Sequence, residues 1–221
     1  MRKLITTEDG SHSIYVPELN EHYHSTHGAI QESNHVFIEA GLKEILKSKS
    51  FINIFEMGFG TGLNVFLTLI YSLDHEVDIK YTAIEAFPLE SEIFTSLNYG
   101  ELIKNGTSNN YFEHIHNGKW EQWSILSDGF QLKKQISSLE DFQPENKFDL
   151  VYFDAFAPNV QPELWANEVF LRIFNSMNPG GILVTYCCKG DVKRSLKSTG
   201  FSIEKLPGSL GKREMLRARK G

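Results

Sequence analysis

The sequence predicts an α/β domain built on a mostly parallel, seven-stranded sheet with an antiparallel pair at its C-terminal edge. Three observations predict it. Short apolar runs alternate with amphipathic ones, a glycine-rich loop joins an apolar strand to an apolar helix, and two strand-like runs separated by Pro-Gly-Ser-Leu-Gly close the chain.

The elements follow in order. Gln31 to Lys47 reads as a helix, because Val36, Phe37, Ala40, Leu42 and Ile45 recur at near-helical spacing. Phe51 to Glu56 is a short apolar strand, Leu63 to Tyr71 a helix, Asp78 to Glu85 a second strand and Leu89 to Leu97 a helix. Phe130 to Ile136 reads as a strand, and FDLVYF, Phe148 to Phe153, as a fully buried one. Leu164 to Asn175 is helical, Asn178-Pro179-Gly180-Gly181 turns into the strand Ile182 to Cys187, and Val192 to Ser198 is a last helix. Strands alternating with helices imply a parallel sheet covered on both faces. The final runs, FSIEKL and REMLRA, depart from that alternation and suit an antiparallel edge pair, which a nucleotide-binding Rossmann domain does not usually carry.

The 221 residues, 41% of them hydrophobic, suit one domain spanning 1–221, with 1–30 as an N-terminal extension or loop near the active site. The basic start has no apolar run behind it, and Val65 to Tyr71 is far short of the roughly 20 residues of a membrane span. Cys187 and Cys188 stand side by side and cannot form a disulfide framework, so a reducing, cytoplasmic setting is expected. The formal charge of −6 argues against nucleic acid on average. It hides a gradient: Lys205, Lys212, Arg213, Arg217, Arg219 and Lys220 face only Glu214, so the tail is either a local RNA contact or a solvated terminus.

The chemistry centres on Glu56-Met57-Gly58-Phe59-Gly60-Thr61-Gly62-Leu63-Asn64. Glycines there let the backbone turn sharply and approach a ligand at the carboxyl end of the strand. A nicotinamide loop of the form GxGxxG would put its third glycine where Leu63 stands. The pattern instead resembles motif I of class I S-adenosylmethionine-dependent methyltransferases, whose loop contacts adenosine and methionine. Glu85 closes the next strand at the distance expected of a carboxylate on the ribose hydroxyls. Glu56, Gly58, Gly60, Gly62, Asn64 and Glu85 are therefore candidate cofactor residues. For the adenine edge, Ser127-Asp128 and Ser137-Ser138 both offer themselves, and the strand FQLKKQI favours Ser137 and Ser138.

Asp154 follows a buried strand and opens DAFAP, where an acid either caps a helix or meets the nucleophile beside the transferable methyl group. With DAFAP and PELW, GFGTGLN, YHSTHGAIQESNHVFIEAGL and GKREML in order from about Tyr23 to Ala218, the chain resembles the methyltransferase part of the MnmC family. The resemblance implies a Rossmann-like class I fold and S-adenosyl-L-methionine as cofactor. It further implies N-methylation of 5-aminomethyl(-2-thio)uridine at the tRNA wobble position. Bifunctional members add a flavin oxidoreductase domain after this point, so methyl transfer alone is expected here, on an intermediate made by a separate partner. Asp154 would be the catalytic carboxylate; Tyr23, Phe156, Pro158 and Trp165 would wall the uridine pocket, Trp165 having core packing as its other reading. Lys212 and Arg213 would reach RNA phosphate in the anticodon loop.

His22, His24, His27 and His35 have a conceivable ligand spacing, but no cysteine joins them, and no metal is expected. Two other functions stay open: transfer to a small amine, which would need neither a basic tail nor salt-sensitive binding, and a noncatalytic S-adenosylmethionine- or RNA-binding module.

Overall fold

The computed structural model describes residues 2–103 and 108–221. Its centre is a sheet whose five middle strands are parallel. The N-terminal strands β1 (Lys3–Thr6), β2 (His12–Val16) and β3 (Glu21–His22) form a separate antiparallel sheet. A helical run follows, as α1 (Ala29–Ser33), a π-helical stretch (Asn34–Leu42) and α2 (Lys43–Ile45). Then come β4 (Phe51–Met57), α3 (Leu63–His75), β5 (Asp78–Glu85), α4 (Ser91–Phe94), α5 (Tyr99–Leu102) and α6 (Asn109–Asn117). The second half holds β6 (Trp123–Ser127), β7 (Phe130–Ile136), β8 (Phe148–Phe153), a 3-10 turn (Pro162–Trp165) and α7 (Asn167–Ser176). It ends with β9 (Met177–Thr185), α8 (Gly190–Ser198), β10 (Phe201–Pro207) and β11 (Glu214–Lys220).

The large sheet runs β10-β11-β9-β8-β4-β5-β7-β6. All pairs from β9 through β7 are parallel, while β11 is antiparallel to both β9 and β10. The expected antiparallel pair is present at the C-terminal edge, with β11 the inner strand. An eighth strand, β6, adds to the seven expected: it pairs antiparallel with β7 through an Asp128-Gly129 turn, in which Gly129 has a φ of 82°. Asp-Gly between two strand-forming runs is a strong hairpin signal, but WSILS offers no buried face, with Ile125 78% exposed.

Other boundaries differ for identifiable reasons. The N-terminal extension is no loop: β2 tucks Ile14 into the core and Tyr99 Oη donates to the His12 carbonyl, tying the small sheet down. Of the helix expected at Leu89 to Leu97, one turn forms. The turn at Asn178 to Gly181 lies inside β9 as an irregularity, where the register with β8 shifts between Phe148 and Leu150. The helical run before β4 packs closely on the sheet at Gly41, where a Cβ would come within 3.0 Å of Val184 Cγ2.

β8 is buried along its whole length, and each such apolar side chain contributes about 1.5–3 kcal/mol. Its one acid, Asp149, is held by Lys49 Nζ, the Asn53 N–H and Asn178 Nδ2. Cores lie on both faces. One gathers Phe37, Phe66, Tyr81 and Tyr152 beneath the first helices, and the other gathers Phe55, Phe148, Phe153 and Phe170 beneath α7 and α8. From β4 the chain proceeds to β5 on one side, and from β8 to β9 on the other. The crevice at the carboxyl ends of β4 and β8 is therefore a topological switch point.

Candidate active site

A cavity of about 770 Å³ opens at that crevice. Its floor is the glycine loop, its walls are the loops after β5, β7 and β8, and its roof comes from Tyr23, His24 and neighbouring N-terminal residues. Gly58, Gly60 and Gly62 all have positive φ, at 91°, 49° and 73°. At Gly58 the need is also spatial, since a Cβ would stand 2.9 Å from the Asp154 carbonyl oxygen. The Gly58 and Phe59 N–H groups both donate to the Ile84 carbonyl, pinning the loop to the end of β5.

Glu85 lines the cavity at the end of β5, its carboxylate accepting from the Gly60 N–H (3.0 Å) and the Phe87 N–H (2.9 Å). Ser137 and Ser138 line it beyond β7 with Ile84 and Leu139, whereas Ser127 and Asp128 lie outside it. Ser138 Oγ donates to Asp141 Oδ2 and accepts from the Asp141 N–H.

Asp154 stands where β8 ends, its N–H donating to the Met57 carbonyl across the sheet. Asn64 Nδ2, from the first turn of α3, donates both to Asp154 Oδ2 (2.8 Å) and to Glu56 Oε1 (2.9 Å). Burial pushes the Asp154 carboxyl up to about 7; Asn64 and the Lys212 charge pull it back, and the Glu32 charge adds to the rise. Glu56 is fully buried and held well above the usual carboxylate range by desolvation. The pair presents one acid to the cavity and buries a second beneath it.

Several expected residues sit elsewhere. Glu56 and Gly62 do not line the cavity: Glu56 supports Asn64 from below, and Gly62 lies against His116 and Phe59. Pro158 also lies outside it. Trp165 is a core residue, 5% exposed, packed edge-on against Phe153, with Nε1–H donating to the Phe156 carbonyl at 2.8 Å. Phe156 and Tyr23 do line the cavity and meet edge to face, their centroids 5.2 Å apart.

The basic tail is largely neutralised because it folds into the β10–β11 hairpin at the sheet edge. Lys205 pairs with Glu214, Arg217 with Glu204 and Glu44, and Arg219 with Glu44, while Lys220 Nζ donates to backbone carbonyls. Lys212 turns inward, its Nζ 2.5 Å from Glu32 Oε1, rather than outward to a phosphate. Arg213 is exposed and outside the cavity.

The histidines disperse. His22 packs beside Tyr15, His27 pairs with Glu8, and His35 bonds the Pro207 carbonyl. His24 Nε2 lies 2.6 Å from Thr61 Oγ1 in the glycine loop, and His116 Nε2–H donates to the Thr61 carbonyl (3.0 Å). Burial lowers His24 to about 4 and His116 to about 3, so both are neutral near pH 7. Sequence reasoning missed His116 and Tyr186, which lie in none of the quoted motifs, and Glu32, which lies within YHSTHGAIQESNHVFIEAGL but was given no role. Among the described residues no cluster of three or more His, Cys, Asp or Glu could hold a metal, and no helix is long and apolar enough to cross a membrane.

A glycine loop and a carboxylate at the ends of adjacent parallel strands, below an antiparallel C-terminal edge, give the fold of a class I S-adenosyl-L-methionine-dependent methyltransferase. Residues 114–221 match a family described as S-adenosyl-L-methionine-dependent methyltransferase. The chain is similar in sequence to proteins named MnmC. It is 31% identical to the tRNA 5-methylaminomethyl-2-thiouridine biosynthesis bifunctional protein MnmC of Leptospira borgpetersenii, across 88% of this chain and 31% of that protein. To MnmC of Magnetococcus marinus it is 27% identical, across 92% of this chain and 32% of that protein. The chain thus spans about a third of the length of these curated relatives. Its fold matches the crystal structure of MNMC2 from Aquifex aeolicus with a TM-score of 0.80 at 24% identity, covering 99% of this chain and 69% of that one. The description of the matching family names S-adenosyl-L-methionine as the cofactor of its members.

Proposed function

We propose that the chain methylates the aminomethyl nitrogen of 5-aminomethyl(-2-thio)uridine at the wobble position of tRNA, in the cytoplasm, after a separate partner activity has produced that amine. The observation that carries the reading is Asp154: a carboxyl poised near neutrality, fixed by Asn64, in a cavity floored by the glycine loop. The names of the MnmC relatives supply the acceptor.

The residues present fit the cofactor. The backbones of Gly58 and Gly60 face the cavity without a Cβ between them and a ligand, Glu85 offers a carboxylate for ribose hydroxyls, and Ser137 and Ser138 border an apolar slot. Gly58, Gly60, Asn64, Glu85, Ser137 and Ser138 would hold it, with Glu56 and Gly62 shaping the loop from behind. Bound S-adenosyl-L-methionine supplies a methyl group activated by positively charged sulfur.

An alkylamine near neutral pH is mostly protonated and has no free lone pair. Asp154 would hold the incoming ammonium by a charge-assisted hydrogen bond, orient its nitrogen and accept one proton from it. Arrival of the cation favours the ionised carboxylate, so a group that titrates near 7 when free becomes a base when needed. Tyr23 and Phe156 form the aromatic wall for an unstacked uracil, as single-stranded bases commonly lie on aromatic faces. Trp165 acts through its bond to the Phe156 backbone.

The test is methyl transfer from labelled S-adenosylmethionine to tRNA from cells lacking wobble-uridine methylation, read by nucleoside mass analysis. A new methylaminomethyl nucleoside is expected, and Asp154→Asn should slow its formation about 100-fold or more while still binding cofactor. Cofactor binding with no labelled tRNA would overturn the acceptor and point to a small amine.

A further inference from the structure

Lys212 is out of place in a cavity meant for cations. If the site methylates an amine, as proposed above, it must take an ammonium beside a sulfonium, yet a lysine lines it. The lysine is built in. It projects from the hairpin between β10 and β11, its Nζ bonds Glu32 Oε1 at 2.5 Å, and it lies 4.0 Å from the centroid of the Tyr186 ring. Glu32 comes from α1, has a side chain only 9% exposed, and also accepts from the Ser25 N–H (2.9 Å) and Ser209 Oγ (3.1 Å). Helix, sheet end and hairpin, far apart in sequence, thus meet at one ion pair on the cavity wall.

We propose that Lys212 is a positioning residue whose charge drives the bound amine toward its neutral, nucleophilic form, and that Glu32 holds it in place and limits that push so the cation can still enter. A positive charge beside any titrating group favours loss of its proton, and a negative charge opposes it. Both charges act on Asp154, in opposite directions. The other groups facing Asp154 are Asn64 from α3, buried Glu56 from β4, Tyr81 from β5, and Tyr186 just beyond β9. Lys212 is the cation among them. His24, close enough to feel both Glu32 and Lys212, is kept neutral by burial and adds no charge. Without Lys212, the ionised Glu32 would stand uncompensated beside Asp154 and hold both the acceptor and Asp154 in their protonated forms.

Two readouts test this in the full chain. The first is the ¹³C carboxyl titration of Asp154 without ligand, assigned with Asp154→Asn; the second is the pH–rate profile of methyl transfer to tRNA. Lys212→Met should move the Asp154 midpoint and the rising limb of the profile to higher pH by about half a unit or more, a roughly threefold slower rate at a fixed pH on that limb. Glu32→Gln should move both to lower pH. The double variant should return both close to their original positions, because opposite charges have been removed together, and Lys212→Arg should hold them there. A Lys212→Met chain slowed by one factor at every pH, with the Asp154 midpoint unmoved, would reduce Lys212 to a structural clamp and overturn the proposal. Failure of the acceptor assignment is separate: it would appear as an unmodified chain that labels no tRNA, before any variant is made.

Discussion

The two ends of the cavity are built by opposite strategies. The end proposed for the cofactor is backbone: alternate glycines with positive φ, N–H groups tied to Ile84, and Glu85 on the next strand, all within one βαβ unit. The end proposed for the acceptor is side chain: Tyr23, Glu32, Asp154, Tyr186 and Lys212, spread across nearly the whole sequence and brought together only by the fold. Backbone geometry tolerates almost no substitution where atoms are close, whereas a side-chain assembly can yield by rotation. The cofactor end should therefore be brittle and the acceptor end adjustable.

The largest effect on cofactor binding is expected from Gly58→Ala. The new Cβ would meet the Asp154 backbone oxygen at 2.9 Å, at a φ of 91° that alanine rarely adopts. A cost of about 1–3 kcal/mol in holding the loop converts to S-adenosylmethionine binding weakened by about 5- to 150-fold, measured by calorimetry. Gly60→Ala is the control. It too would place alanine at a positive φ, 49°, but its Cβ would meet the Tyr23 ring at 3.2 Å, a side chain that can give way, so its loss should be the smaller. Equal losses at the two positions would break the comparison.

The same contrast decided what could be read from the chain. The alternation of strands and helices, the glycine loop, and the places of Glu85 and Asp154 at strand ends were legible because each is local: a strand, its loop and the residue at its end are contiguous. Strand β6 was obscured because WSILS has no buried face to make a pattern, although Asp128-Gly129 announced its turn. Lys212 and the cations after it read as a basic tail because charge is visible in sequence and pairing is not. Their carboxylates, Glu32, Glu44 and Glu204, lie on other elements. Trp165 looked like a pocket wall because aromatic residues near a motif suggest stacking, and only packing shows its ring against Phe153.

A smaller effect tests the electrostatics of the acceptor end through stability. Asp154 has a folded-state value near 7, above the ordinary 3.8, so folding favours its protonated form. That stabilisation is complete below pH 3.8 and is lost as pH rises through about 7. Asp154→Asn should therefore melt above the unmodified chain at pH 8 by a few degrees, a difference that disappears toward pH 4; the partial exposure of Asp154 keeps the gain modest. His24 and His116 act with opposite sign. Their lowered values mean stability present above pH 6.5 and lost as pH falls toward about 4 and 3. Melting scans in which Asp154→Asn gains nothing at pH 8 would show that Asp154 is not strained by its burial.

The smallest effect is expected at Trp165, where the two strategies meet. Its indole N–H fixes the Phe156 carbonyl while its ring belongs to the core, so Trp165→Phe keeps most of the buried area and removes the one bond that reaches the cavity wall. The net worth of such a bond is about 1 kcal/mol, and the loss falls on the Phe156 backbone rather than on the glycine loop. Steady-state kinetics should show a few-fold rise in the tRNA KM with cofactor affinity unchanged. A change in cofactor affinity of the same size would mean that the loop after β8 and the glycine loop move as one body, coupled through the Asp154 N–H and the Met57 carbonyl, and the division between a rigid end and an adjustable end would fail there.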